Sequence, residues 1–88
     1  MFYRRRENLK IQEIAGEMLL LDQERGEVHH LNQTASFVWH HCDGCTSVAE
    51  IVEQVVRTFD VAEETASADV AQTLQQLFAI RVIDQETN

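Results

Sequence analysis

Eighty-eight residues, 44% of them hydrophobic and 25% charged, suffice for one compact domain and exclude two, because independently folding domains begin near ~50 residues and this balance is globular rather than disordered. Fifteen Asp and Glu against seven Lys and Arg leave a net charge of −8, a field that repels phosphate backbones and argues against nucleic acid as a partner. The longest apolar runs, Met18 to Leu21 and Leu77 to Ile80, fall far short of the ~20 residues of a spanning helix; with no secretory signal, the chain reads as cytoplasmic and not membrane-bound.

Residues 1–8, with Arg4, Arg5 and Arg6, read as a basic solvated tail. From Leu9 to Ile14 the residues alternate loosely, as in an edge strand, and Ala15-Gly16 can turn the chain. Glu17 to Asp22 is a nearly continuous apolar run, the pattern of a central strand covered on both faces. A turn through Gly26 leads into a third strand, Glu27 to Leu31, which completes an antiparallel meander. Asn32 is a good N-cap for a first helix, Gln33 to Cys42, whose inward stripe is Ala35, Val38, Trp39 and Cys42. Asp43-Gly44 ends that helix. Ser47 and Glu50 have the spacing of a capping box, and behind them Val48, Ile51, Val52, Val55, Val56 and Phe59 keep a helical rhythm without a miss. A third helix follows Asp60-Val61 and runs to about Ala79, with Ala66, Val70, Thr73, Leu74, Leu77 and Phe78 inward. Residues 80–83 are a short apolar return and residues 84–88 a tail. The expected fold is α+β, a winged helix-turn-helix in which a three-stranded antiparallel sheet is followed by three helices, all in one domain over residues 1–88.

The third helix carries no Lys or Arg between Ala62 and Ile80, so it is not fitted to enter a DNA groove. His40, His41, Cys42 and Cys45 form the densest set of potential metal ligands. A closed zinc site needs a second ligand pair at its own tight spacing, and Cys42 continues the apolar stripe, so core packing and a turn account for both thiols and no metal or other cofactor is expected. Cys42 also lies at a helix C-terminus, where the dipole disfavours a thiolate, and the scattered acids form no catalytic pair. The chain does not read as an enzyme. The third strand remains: it ends the meander and lacks the Lys or Pro that usually blocks an open edge, so it can accept an added strand from a peptide, from a second copy of the chain or from the chain's own tail.

Leu20-Leu21-Asp22, Gly26, His29, Leu31-Asn32, Thr34-Ala35, Val38-Trp39, Cys42-Asp43-Gly44, Val48 to Val52, Asp69-Val70, Leu74 and Leu77 together resemble the PqqD-like family over about residues 9–83. That resemblance implies a non-enzymatic, winged-helix peptide chaperone of the kind called a recognition element for ribosomally made, post-translationally modified peptides. It further implies that a precursor's leader segment pairs with the third strand, lies against the third helix and is presented to a modifying enzyme, often a radical-SAM protein. Carried onto this chain, the binding residues are Val28, His29, His30 and Leu31 on the strand and Asp69, Gln72, Thr73, Gln76 and Leu77 on the helix. The protein is then a monomer or weak homodimer; the alternative is an assembly module that self-associates through its open edge. Two features depart from the family pattern. Arg81-Val82-Ile83 stands where a Gly-Leu-Leu-like ending is usual, denying the third helix a glycine stop, and Trp39 is more like members outside PQQ synthesis itself, which leaves the pathway open.

Overall fold

The computed structural model describes residues 2–86. It is an α+β structure of two three-stranded antiparallel sheets and three helices. In chain order the elements are β1 (Phe2–Arg5), β2 (Leu9–Ile14), β3 (Glu17–Asp22), β4 (Glu27–Leu31), α1 (Gln33–His40), β5 (Asp43–Ser47), α2 (Val48–Phe59), α3 (Glu63–Ala79) and β6 (Ile83–Glu86).

The expected meander is present as the sheet β2-β3-β4, with the expected third strand as β4. Ala15 and Gly16 both have positive φ, 53° and 81°, the backbone of a tight hairpin turn whose twist matches that of the strands it joins. Leu20 pairs with both Ile11 and His29, and Leu21 with both Lys10 and Val28. Residues paired across a sheet share a face, so Met18, Leu20, Asp22, His29 and Leu31 lie on the helix side while Leu19, Leu21, Val28 and His30 lie on the other. β3 is therefore central but not equally covered: Met18 and Leu20 are buried, whereas Leu19 and Leu21 are only half-buried.

A second sheet, β5-β1-β6, corrects the expectation of one sheet followed by three helices. Residues 2–5 are a central strand rather than a tail, residues 83–86 pair with them, and the turn after α1 continues as β5. Met1, Thr87 and Asn88 lie outside the described residues. Opposite charges meet across this sheet: Arg4 pairs with Glu86, and Arg6 lies 2.9 Å from Asp84. Arg4 holds the Glu86 carboxyl below its ordinary range through a hydrogen bond. Such exposed pairs are worth little in stability; the backbone ladder between β1 and β6 carries the pairing. Gly44 adopts φ +79°, and a Cβ there would come within 2.7 Å of the Arg4 guanidinium.

One core joins the two sheets and the helices. Met18, Leu20, Leu31, Val38, Trp39, Ile51, Val55, Val70, Leu74, Leu77, Val82 and Ile83 are all buried in it. Cys42 lies there too, although α1 stops at His40, two residues before the expected end. Phe78, expected inward, is 50% exposed. The capping box of α2 forms as expected, with Glu50 N–H donating to Ser47 Oγ at 3.2 Å and Ser47 N–H to Glu50 Oε1 at 2.9 Å.

The end of α3 finds a left-handed stop without glycine. Arg81 has φ +63°; its N–H donates to the Phe78 carbonyl at 3.1 Å, and Val82 N–H donates to the Leu77 carbonyl at 3.2 Å. These two bonds make a Schellman motif with arginine in the position glycine usually fills. A non-glycine residue in that conformation carries about 1 kcal/mol of strain. Arg81→Gly should consequently raise the urea midpoint by the equivalent of about 0.5–1 kcal/mol, and a lower midpoint would show that the Arg81 side chain contributes more than its backbone costs.

Candidate functional site

Among the described residues β4 pairs on one side only, with β3, so its other edge is open to them. Beside that edge runs a groove of about 440 Å³ lined by Val28, His29, His30, Leu31, Asn32, Ala35, Thr73, Gln76, Leu77 and Ile80. A second hollow of about 350 Å³ shares Asn32, Ala35, Thr73 and Gln76 with it and adds Thr34, Asp69 and Gln72. The two thus adjoin. They bring together all nine residues singled out from the sequence, four from β4 and five from α3, and add Asn32, Thr34, Ala35 and Ile80.

Each element presents these side chains for a local reason. Asn32 ends β4 and caps α1, its Oδ1 accepting the Ala35 N–H at 2.8 Å, while Ser36 Oγ donates to the Leu31 carbonyl at 3.1 Å. These two bonds tie the end of β4 to the start of α1. On α3, Val70, Leu74 and Leu77 are buried, and the helical repeat places Asp69, Gln72, Thr73 and Gln76 on the adjoining stripe. The floor is apolar where Leu31, Leu77 and Ile80 meet and polar toward Asp69.

The strand's two histidines differ. His29 lies on the core face, and its Nε2, 3.4 Å from Glu27 Oε1 but misaligned for a hydrogen bond, is the one buried side-chain polar atom among the described residues without a hydrogen-bond partner. His30 lies on the other face with its Nε2 2.8 Å from Glu17 Oε1. Val28 is 62% exposed beside it.

The other features weighed from the sequence fall elsewhere. Cys42 is buried, donates to the Val38 carbonyl at 3.3 Å, and has its thiol pushed up to about 12 by burial; Cys45 is exposed. Among the described residues no three His, Cys, Asp or Glu side chains are grouped to hold a metal ion. Asp43 accepts the N–H groups of Cys45 and Thr46, each at 2.8 Å, which holds its carboxyl below the ordinary range; that is turn chemistry. A cleft of about 580 Å³ between α2 and α3 is lined wholly by helix residues, among them Val48, Val52, Val56 and Ser67, and offers a bound chain no backbone to pair with.

The model of the family described as coenzyme PQQ synthesis protein D matches residues 17–83. No curated protein matches. Among solved structures, "TbiB1 in complex with the TbiA(beta) leader peptide" is 19% identical with a TM-score of 0.81, over 97% of this chain and 99% of that one. "Lasso peptide synthetase B1 complexed with the leader peptide" is 22% identical with a TM-score of 0.81, over 97% and 100%. The PqqD truncation of Methylobacterium extorquens PqqCD, described as a functional, stand-alone recognition element for ribosomally synthesized and post-translationally modified peptides, is 22% identical with a TM-score of 0.74, over 94% and 88%. At these identities the shared property is the fold.

Proposed function

Since the chain belongs to the coenzyme PQQ synthesis protein D family, we propose that it is a non-enzymatic recognition element that binds the leader segment of a ribosomally made precursor peptide and presents it to a modifying enzyme. In this reading α2 and α3 form the helix-turn-helix of a winged domain, β2-β3-β4 is its sheet, and the leader joins that sheet beside β4. A radical-SAM protein is one class of enzyme that would receive the peptide, in the cytoplasm. The observation that carries the proposal is the open edge of β4 lying against the α3 groove.

Strand addition satisfies the edge's unpaired N–H and C=O groups and aligns alternate side chains of the guest with the groove. About five backbone hydrogen bonds, at about 0.5–1.5 kcal/mol net each, do not both order a flexible leader and reach the about −8 kcal/mol of micromolar binding. The leader therefore places two or three apolar residues between β4 and α3, where each contributes about 1.5–3 kcal/mol when fully buried. Two leader complexes among the similar folds support the reading.

The test is calorimetric titration of the protein with synthetic peptides encoded by short reading frames beside its gene. One peptide should bind with micromolar or tighter Kd and a negative heat-capacity change. If none binds while light scattering at micromolar concentration gives the mass of a dimer, the edge serves a second copy of the chain instead.

A further inference from the structure

The groove has a direction and a charge that together specify which leaders it accepts. Val28 lines only the hollow that contains Leu77 and Ile80, whereas Asp69 lines only the one that contains Thr34 and Gln72. Asp69 therefore lies beyond the C-terminal end of β4, and α3 runs from there back alongside the strand toward Leu77 and Ile80. Apart from the two histidines, Asp69 is the one ionisable side chain among the described residues that lines either hollow. It is exposed, and no ion pair among the described residues involves α3. No Lys or Arg occurs on that helix to neutralise it, and the whole chain carries a charge of −8.

Both ladders of this sheet are antiparallel, and antiparallel pairing is slightly the more stable per residue. A guest strand that continues the pattern has its N-terminal part at the Asp69 end. Asp69 and Leu77 are about 12 Å apart along the helix axis at about 1.5 Å per residue, a span that an extended chain at about 3.3 Å per residue covers in about four residues.

Resting on the strand-addition reading above, we propose that Asp69 is a specificity determinant: the preferred leader carries Lys or Arg about four residues N-terminal to the apolar residue seated against Leu31, Leu77 and Ile80. Gln72 and Gln76 beside it supply neutral amides that bond either sign of partner, so the sign of the selection comes from the carboxylate. The exposure of Asp69 keeps the preference moderate, because an ion pair that stays partly hydrated contributes up to about 1 kcal/mol, about fivefold in affinity.

The test uses displayed random peptides about twelve residues long, enough at about 3.3 Å per residue to pair along β4 and reach Asp69. They are selected in parallel on the wild type, on Asp69→Asn and on Asp69→Lys, each hit being re-measured on a β4 proline variant that keeps the wild-type circular dichroism. Asp69 makes no contact the fold needs, so both substitutions should leave the protein folded. Wild-type hits should favour Lys or Arg at the predicted spacing by about threefold to fivefold, Asp69→Asn should flatten that preference, and Asp69→Lys should turn it toward Asp or Glu. Hits that need β4 but show the same residues on all three proteins would overturn this inference and leave strand addition standing. Basic residues enriched only on the C-terminal side of the apolar anchor would overturn the antiparallel sense and the inference with it. Hits indifferent to the β4 proline would overturn both readings.

Discussion

Proline placed singly at Val28, His29 and His30 should divide into two outcomes, loss of peptide binding in a folded protein or loss of the fold itself. Successive N–H groups of a strand point to opposite sides, so Val28 and His30 share one direction and His29 takes the other. One set bonds β3; the other meets the guest. Proline on the side facing the guest removes a donor and leaves a guest carbonyl unpaired, at a cost of about 1–3 kcal/mol, roughly fivefold to a hundredfold in Kd. Proline on the β3 side breaks the ladder that holds Leu20 and Leu21 against β4 and lowers the urea midpoint instead. The two effects should alternate with period two along the strand. Alanine at the same positions separates backbone from side chain, because it keeps the donor; Val28→Ala should weaken binding by less than the proline on the guest-facing side. Full binding by all three proline variants in folded form would mean that the peptide does not use this edge.

How much of this was legible in the sequence follows from the range of the interactions involved. The β2-β3-β4 meander, the three helices and the α2 capping box each rest on signals within a few residues: Ala15-Gly16 for the hairpin, Asn32 and Ser47 for the caps, and the unbroken rhythm from Val48 to Phe59. All of them are present. The sheet β5-β1-β6 rests on pairings between the two ends of the chain. Arg4, Arg5 and Arg6 look like a solvated run because Glu86 and Asp84, which pair with the first and last of them, are far away in sequence. Asp43-Gly44-Cys45 likewise has turn composition and becomes a strand only because β1 lies beside it. At the site, the β4 edge and the α3 stripe could be read from position and periodicity. Asn32, Thr34 and Ala35 give no groove signal because their places at the cap and start of α1 account for them fully, and Ile80 gives none because it reads as the first residue of the apolar return 80–83, the left-handed turn at Arg81 that divides it from β6 being unmarked. Gly is the local signal for that turn, and here it is absent.

Trp39→Ala should be among the most damaging single substitutions in this chain, while Trp39→Phe should be tolerated. Trp39 is 2% exposed, its Nε1–H donates to the Val82 carbonyl at 3.1 Å, and the Arg5 guanidinium lies 5.6 Å from its ring centre. One side chain thus touches α1, the lead into β6 and the strand β1, joining the helices to the sheet made from the chain's two ends. Truncation to alanine costs about 3–5 kcal/mol. A domain of this size has about 4–13 kcal/mol in total at roughly 0.05–0.15 kcal/mol per residue, so a large fraction of its stability goes. Phenylalanine keeps most of the volume and the cationic neighbour. It also leaves no orphaned acceptor, because the Val82 carbonyl still receives the Arg6 N–H at 3.0 Å, so the expected loss is about 1–2 kcal/mol. Urea unfolding gives the two values, and thiol labelling gives an independent view of where the structure opens. In the wild type a thiol reagent should modify exposed Cys45 quickly and Cys42, buried and held protonated, only through unfolding. In Trp39→Ala the Cys42 rate should rise in step with the lost stability. Equal midpoints for the two variants, or Cys42 still protected in Trp39→Ala, would show that the two sheets are held together by something other than this indole.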